Sequence, residues 1–175
     1  MVSIGLIAAG ALVLMPGGLE LSDLREHLGP RAEVTLATSP SIPRPGSIVR
    51  VRVVIRNARG VGSFPFTLTY DPGIMEFIPG SAREGRFFRQ GGAATSFMAR
   101  AGRSRQGATG VVVGLSRLGT SGARGSGVVC ELSFRALAPG TARLGLEGAR
   151  LLSTSATPLP ARLGAASLRV RGARR

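Results

Sequence analysis

The sequence predicts an all-β protein, an antiparallel β-sandwich or jelly roll. Three observations carry that reading. From Arg31 onward, short apolar segments alternate with period two. Clusters of Gly, Pro and Ser separate them, and only one short stretch reads as helical. About nine or ten such segments follow one another at spacings of 8 to 20 residues, the rhythm of a sandwich and not of alternating strands and helices. At 175 residues the chain fits one domain, long enough to bury a core without disulfide staples.

The segments run in order. "AEVTLATS" (32–39) is the first, and "SIPRPG" (41–46) is a turn. In "SIVRVRVVIRN" (47–57), Val49, Val51, Val53 and Ile55 share one face and Arg50, Arg52, Val54 and Arg56 the other. In 61–70, Gly62, Phe64, Phe66, Leu68 and Tyr70 share the inward parity, and Pro65 marks an edge or bulge because it lacks the ladder donor. Asp71-Pro72-Gly73 makes a turn into Ile74–Ile78. Further strands are expected at 95–101, 110–117, 127–137, 141–148, 149–153 and 165–171. In 127–137, Val128, Cys130, Leu132 and Phe134 point inward, so the single cysteine reads as a small buried hydrophobe. Ahead of the strands, residues 1–18 resemble an export signal or short anchor, and 19–31 read as a short helix and linker carrying His27. The sandwich is expected over 32–171 and a basic tail over 172–175.

Charge and chemistry narrow the function. The net charge is +14, and all 23 basic residues are arginine. Two sources stay open for that excess: a coding bias towards Arg, Ala and Gly combined with solubility, or an anionic surface partner. No helix-turn-helix, zinc or RNA-recognition pattern accompanies the arginines, which disfavours nucleic acid. Asp71 and Glu76 read as a turn residue and an exposed strand position, not a catalytic pair. No serine has a histidine partner, and no cluster of carboxylates suggests a metal. The expectation is a non-enzyme with no catalytic residues, metal, cofactor or small-molecule substrate. Phe87 and Phe88 are the remaining candidates for stacking on a sugar, with packing beneath their own loop as the alternative.

From about Val34 to Val170 the chain resembles a bacterial cohesin domain. The blocks that carry this are "PGSIVRVRVVIRN", "GSFPFTLTYDPGIMEFI", "GVVVGLSRLGTSGARGSGVVCELSFRAL" and "APGTARLGLEGARLL", in that order. The resemblance implies a nine-stranded jelly-roll sandwich. It also implies a non-catalytic scaffold module that binds a dockerin-like or other protein through one sheet face, in extracytoplasmic assemblies concerned with polysaccharide degradation. The family's polar contact positions fall on Val61 and Ser63, and an acidic one near Arg117. On this reading the partner-binding residues are Ser63, Thr67, Ser116, Arg117 and Gly119. The alternatives are a carbohydrate-binding module on the same fold, or a basic envelope protein binding anionic glycan or lipid.

Overall fold

A computed structural model describes residues 31–172. The apolar segment 1–18, the short helix with His27 and the last three residues of the basic tail lie outside the described residues. Among those described there are twelve strands. In chain order they are β1 (Ala32–Ser39), β2 (Ile48–Ser63), β3 (Phe66–Thr69), β4 (Met75–Phe77), β5 (Arg83–Glu84), β6 (Thr95–Arg103), β7 (Thr109–Arg117), β8 (Ala123–Ala136), β9 (Gly140–Glu147), β10 (Leu152–Ser153), β11 (Ala161–Leu163) and β12 (Ala166–Val170). The one helical element among them is a single 3-10 turn, Gln90–Gly92. The count exceeds the expected nine or ten because β5 and β11 are too short to leave a periodic signal.

The strands form two layers. Sheet one runs β11-β1-β2-β8, with β4 and β5 both pairing the far edge of β8. Sheet two runs β6-β7-β3-β9-β12. The end of β2 joins the layers by pairing Ser63 with Ser116 of β7 and with Leu152 of β10. Every pairing is antiparallel except β1 with β11.

The core follows from period-two alternation. Val49, Val51, Val53 and Ile55 of β2 are wholly buried, facing Val111, Val113, Leu115, Leu144 and Leu168 of sheet two within one continuous cluster. Phe134 anchors one end, with Tyr70 edge-on at 5.0 Å and Phe77 at 5.6 Å between ring centres. Asp71 shapes the turn as its residue type requires. Its Oδ1 accepts the Gly73 N–H at 3.0 Å, and its carbonyl accepts the N–H groups of Ile74 and Met75.

Strict alternation breaks at three places, of which the sequence marked only the one at Pro65. The 61–70 segment is not one strand: Val61–Ser63 closes β2, Pro65 interrupts the ladder, and β3 begins at Phe66. Strand β2 also continues beyond 57 through Asn57 and Gly60, which both take positive φ, and its register against β8 shifts on either side of Ala58. Asn and Gly are the residue types that tolerate this conformation. In β8 the ladder passes from the Val53–Cys130 pair to Val54–Val128. Val129 is therefore the extra residue of a bulge; it takes the inward place expected of Val128, which is only half-buried.

Two predictions follow. Phe134→Ala lowers stability by about 3–5 kcal/mol, because it empties a fully packed aromatic site. Gly85→Ala costs about 1–3 kcal/mol, because its methyl would run into the Val128 carbonyl. Denaturant melts check both, and a cost below ~0.5 kcal/mol in either case would contradict the packing described.

Cys130 is wholly buried, and burial raises its thiol from 9.0 to about 12. The raised folded value means that its contribution to stability is complete below about pH 9 and is lost as pH climbs towards 12. The chain has no lysine, and arginine stays charged throughout. Stability is therefore expected to decline above about pH 9, with a shallower decline in Cys130→Ala. Melts at stepped alkaline pH check this; parallel profiles for the two proteins would refute it.

Candidate functional site

The outer face of sheet two is the surface where the sequence-identified residues gather. Alternation that buries Val111, Val113 and Leu115 of β7 turns Val112, Gly114 and Ser116 outward. Cross-strand register then sets the rows. Ser96 of β6, Ser116 of β7 and Ser63 of β2 form one. Met98 and Gly114 form the next. Arg100, Val112, Thr67 and Glu147 span four strands, and so do Gly102, Gly110, Thr69 and Gly145. The glycines have a steric cause: a methyl at Gly110 would stand 2.7 Å from Thr67 Cγ2, and one at Gly145 2.9 Å from Thr69 Oγ1. The threonines lean over the bare backbone, and the face stays low in relief.

Its chemistry is mild for a chain of net charge +14. The four rows hold two charged residues, Arg100 and Glu147. Two large apolar side chains stand out of the surface: Met98 is 49% exposed and Leu118 56%. Leu118 follows β7 but keeps its outward parity, because its N–H pairs with the Ala94 carbonyl just before β6. A recess of about 370 Å³ opens beside the third row, lined by Pro65, Thr67, Val112, Glu147 and the basic residues Arg105 and Arg150. Glu147 Oε2 is buried there without a hydrogen-bond partner.

The expected partner contacts divide. Ser63, Thr67 and Ser116 come together on this face, and Gly119 sits exposed in the loop after β7 with φ of 105°. Arg117 does not present itself to a partner. Its Nη1 donates to the carbonyls of Phe88 and Gln90 and its Nε to that of Ser121, all at 2.8 Å. The guanidinium thus ties the loop after β5 to the loop after β7. Val61 is wholly buried. The proposed glycan contact at Phe87 and Phe88 is corrected as well: they are 1% and 0% exposed, packed edge-to-face at 5.1 Å, with no ring face open to a sugar. Sequence reasoning missed Met98, Val112, Leu118 and Glu147. The parity of "TSFMARA" already turned Met98 outward, but nothing in the sequence showed which sheet face would remain uncovered.

Asp71 is held in its turn, and Glu76 lies opposite Arg135 on the outer side of sheet one. Among the described residues no three potential ligands cluster as a metal site. No helix among them is long and apolar enough to cross a membrane.

Comparison with curated proteins gives no match. Among solved structures, a non-cellulosomal cohesin from the archaeon Archaeoglobus fulgidus superposes with a TM-score of 0.64 at 17% identity, over 81% of this chain and 92% of that one. A type II cohesin module from the ScaA scaffoldin of Acetivibrio cellulolyticus gives 0.65 at 9% identity, over 81% and 98%. A cohesin in a type I cohesin–dockerin complex from Clostridium thermocellum gives 0.63 at 14% identity, over 82% and 95%. At these identities the structures speak for the fold. The family model for the cohesin domain matches residues 32–150, which covers β1 through β9, and on that match the chain belongs to the cohesin family.

Proposed function

We propose that this chain is a non-catalytic docking module that holds a protein partner on the outer face of β6-β7-β3-β9, in an extracytoplasmic assembly. The observation that carries the reading is the contrast between a strongly basic chain and an uncovered face with a nearly neutral centre, small residues and two exposed apolar side chains. That anatomy suits a protein interface, whose buried centre is depleted of charge and whose affinity concentrates in a few well-packed side chains.

A dockerin-like domain is the partner that family membership favours, since a solved relative is in complex with a dockerin. The contacts differ from the family pattern, however. With Val61 buried and Arg117 spent on backbone carbonyls, contact falls to Ser63, Thr67, Ser116 and Gly119, joined by Met98 and Leu118. The partner therefore meets small hydroxyls and apolar knobs where the family pattern has polar positions and an acidic one.

The test is binding of type I and type II dockerin domains, followed by capture from an extract of the source cell. Met98→Asp and Leu118→Asp should each weaken the captured interaction roughly 30-fold or more, a hot-spot loss of ~2 kcal/mol. Ala37→Asp, on the exposed outer side of sheet one, should leave it within about twofold. Equal binding by all three variants would remove the face from the account. Failure of every dockerin alongside a Met98-dependent capture would keep the face and reject the dockerin.

A further inference from the structure

The arginines of the two outer surfaces are not equivalent. On sheet one Glu33, Glu76 and Glu131 each stand opposite an arginine. Glu33 lies between Arg162 and Arg56, and Glu131 between Arg52 and Arg83. Arg52 Nε reaches Glu131 at 2.7 Å and Arg50 Nε reaches it at 3.7 Å. Cross-strand pairing of opposite charges accounts for these positions without any ligand. The ladder between β9 and β12 is different. Arg143 stands opposite Ser167, and Arg169 opposite Thr141. All four side chains are exposed on one face, since Ala142, Leu144, Leu168 and Val170 take the buried parity. The two arginines are diagonal neighbours about 7–8 Å apart, a separation that two long side chains can close on adjacent groups of one polyanion. No acid enters the square, and none of its four side chains donates to another protein group among the described residues. Arg171 follows two positions on, exposed, and the sequence continues to Arg174 and Arg175.

Holding two like charges together without a counter-charge is unfavourable in a ladder. A bias in codon usage explains why these residues are arginine and not lysine; it does not explain why Glu33, Glu76 and Glu131 stand opposite arginines on sheet one while no acid enters this square. Arginine's planar fork pairs in bidentate fashion with oxyanions, and the two hydroxyls between the forks add donors at the same height. We propose that the outer face of β9–β12 is a binding site for the closely spaced carboxylate or sulfate groups of a linear acidic polysaccharide. None of the exposed large apolar residues lies on either strand. The face therefore offers neither a platform for nucleobases nor a wedge for a bilayer, and donors alone do the recognition. This site is separate from the docking rows and stands whether or not they bind a protein.

The experiment uses the full chain and four probes: heparin, polygalacturonate, duplex DNA, and vesicles rich in anionic lipid, each titrated at stepped salt. Two double variants are compared at equal loss of charge. Arg143→Gln with Arg169→Gln removes the square; Arg56→Gln with Arg162→Gln removes two arginines from sheet one. Melting curves confirm that both variants fold. The expected result is binding to heparin or polygalacturonate that weakens about tenfold in the first variant and less than about twofold in the second, with a shallower dependence on salt in the first. Equal weakening in both would show diffuse attraction to a basic protein and overturn the site. Tighter binding to DNA or vesicles than to either polysaccharide, at the same salt, would overturn the ligand class, and the absence of binding to both polysaccharides at low salt would overturn the proposal outright.

Discussion

The pairing of β2 with β8 is the constraint on which the rest of the molecule depends. Strand β2 is sixteen residues long, and its first half alternates wholly buried valines and isoleucine with exposed arginines. It pairs with β1 on one edge and β8 on the other, so it fixes which way each neighbour faces. A slip of one residue would turn Val49, Val51, Val53 and Ile55 to water and bring Arg50, Arg52 and Arg56 inward. The positive φ at Asn57 and Gly60 then lets the same strand bend towards sheet two, where Ser63 meets Ser116. The serine row of the docking face is thus placed by the strand that also builds the opposite layer.

Charge is distributed to suit this arrangement. On sheet one Glu33, Glu76 and Glu131 stand opposite arginines across the ladder, which eases the crowding of charge on that surface. On sheet two the central rows shed charge almost entirely, and the surrounding strands and loops keep it in Arg103, Arg105, Arg143, Arg150 and Arg169. A neutral centre within a basic surround is the arrangement that attracts an acidic partner from a distance while avoiding the desolvation of charge on contact.

Much of the sandwich was written in period two. The bounds of β1 coincide with the "AEVTLATS" segment, and the inward parity of Phe64, Phe66 and Leu68 holds across the break at Pro65. What local pattern could not convey was anything decided by a partner strand. The bulge at Val129 arises from register against β2, and β5 and β11 exist only because β8 and β1 have free edges. The site was half legible for the same reason. Ser63, Thr67 and Ser116 were named from the cohesin resemblance and share this face, whereas Arg117, named with them, directs its guanidinium to carbonyls far off in sequence, at Phe88 and Gln90. For Phe87 and Phe88 the sequence left stacking on a sugar and packing beneath their own loop both open, and the structure packs them.

Strand β9 belongs to both surfaces, which raises the question of whether they communicate. Glu147 closes the third docking row, and Arg143 starts the anion square four positions earlier. Four extended residues span about 13 Å, beyond the screening length of about 8 Å at physiological salt. Charge placed on the square is therefore felt only faintly at the docking rows under those conditions, and more strongly at low salt. A mechanical route is short as well, because Leu144 and Leu146 lie between the two positions and are packed against the common core. A rigid core transmits little unless it has a second packing to adopt, and β9 is paired along its length, with β12 over Gly140–Leu144 and with β3 over Gly145–Glu147. The two surfaces are best understood as independent sites on one rigid sheet. If both proposals hold, the module rests on an acidic polymer and holds a protein partner at the same time.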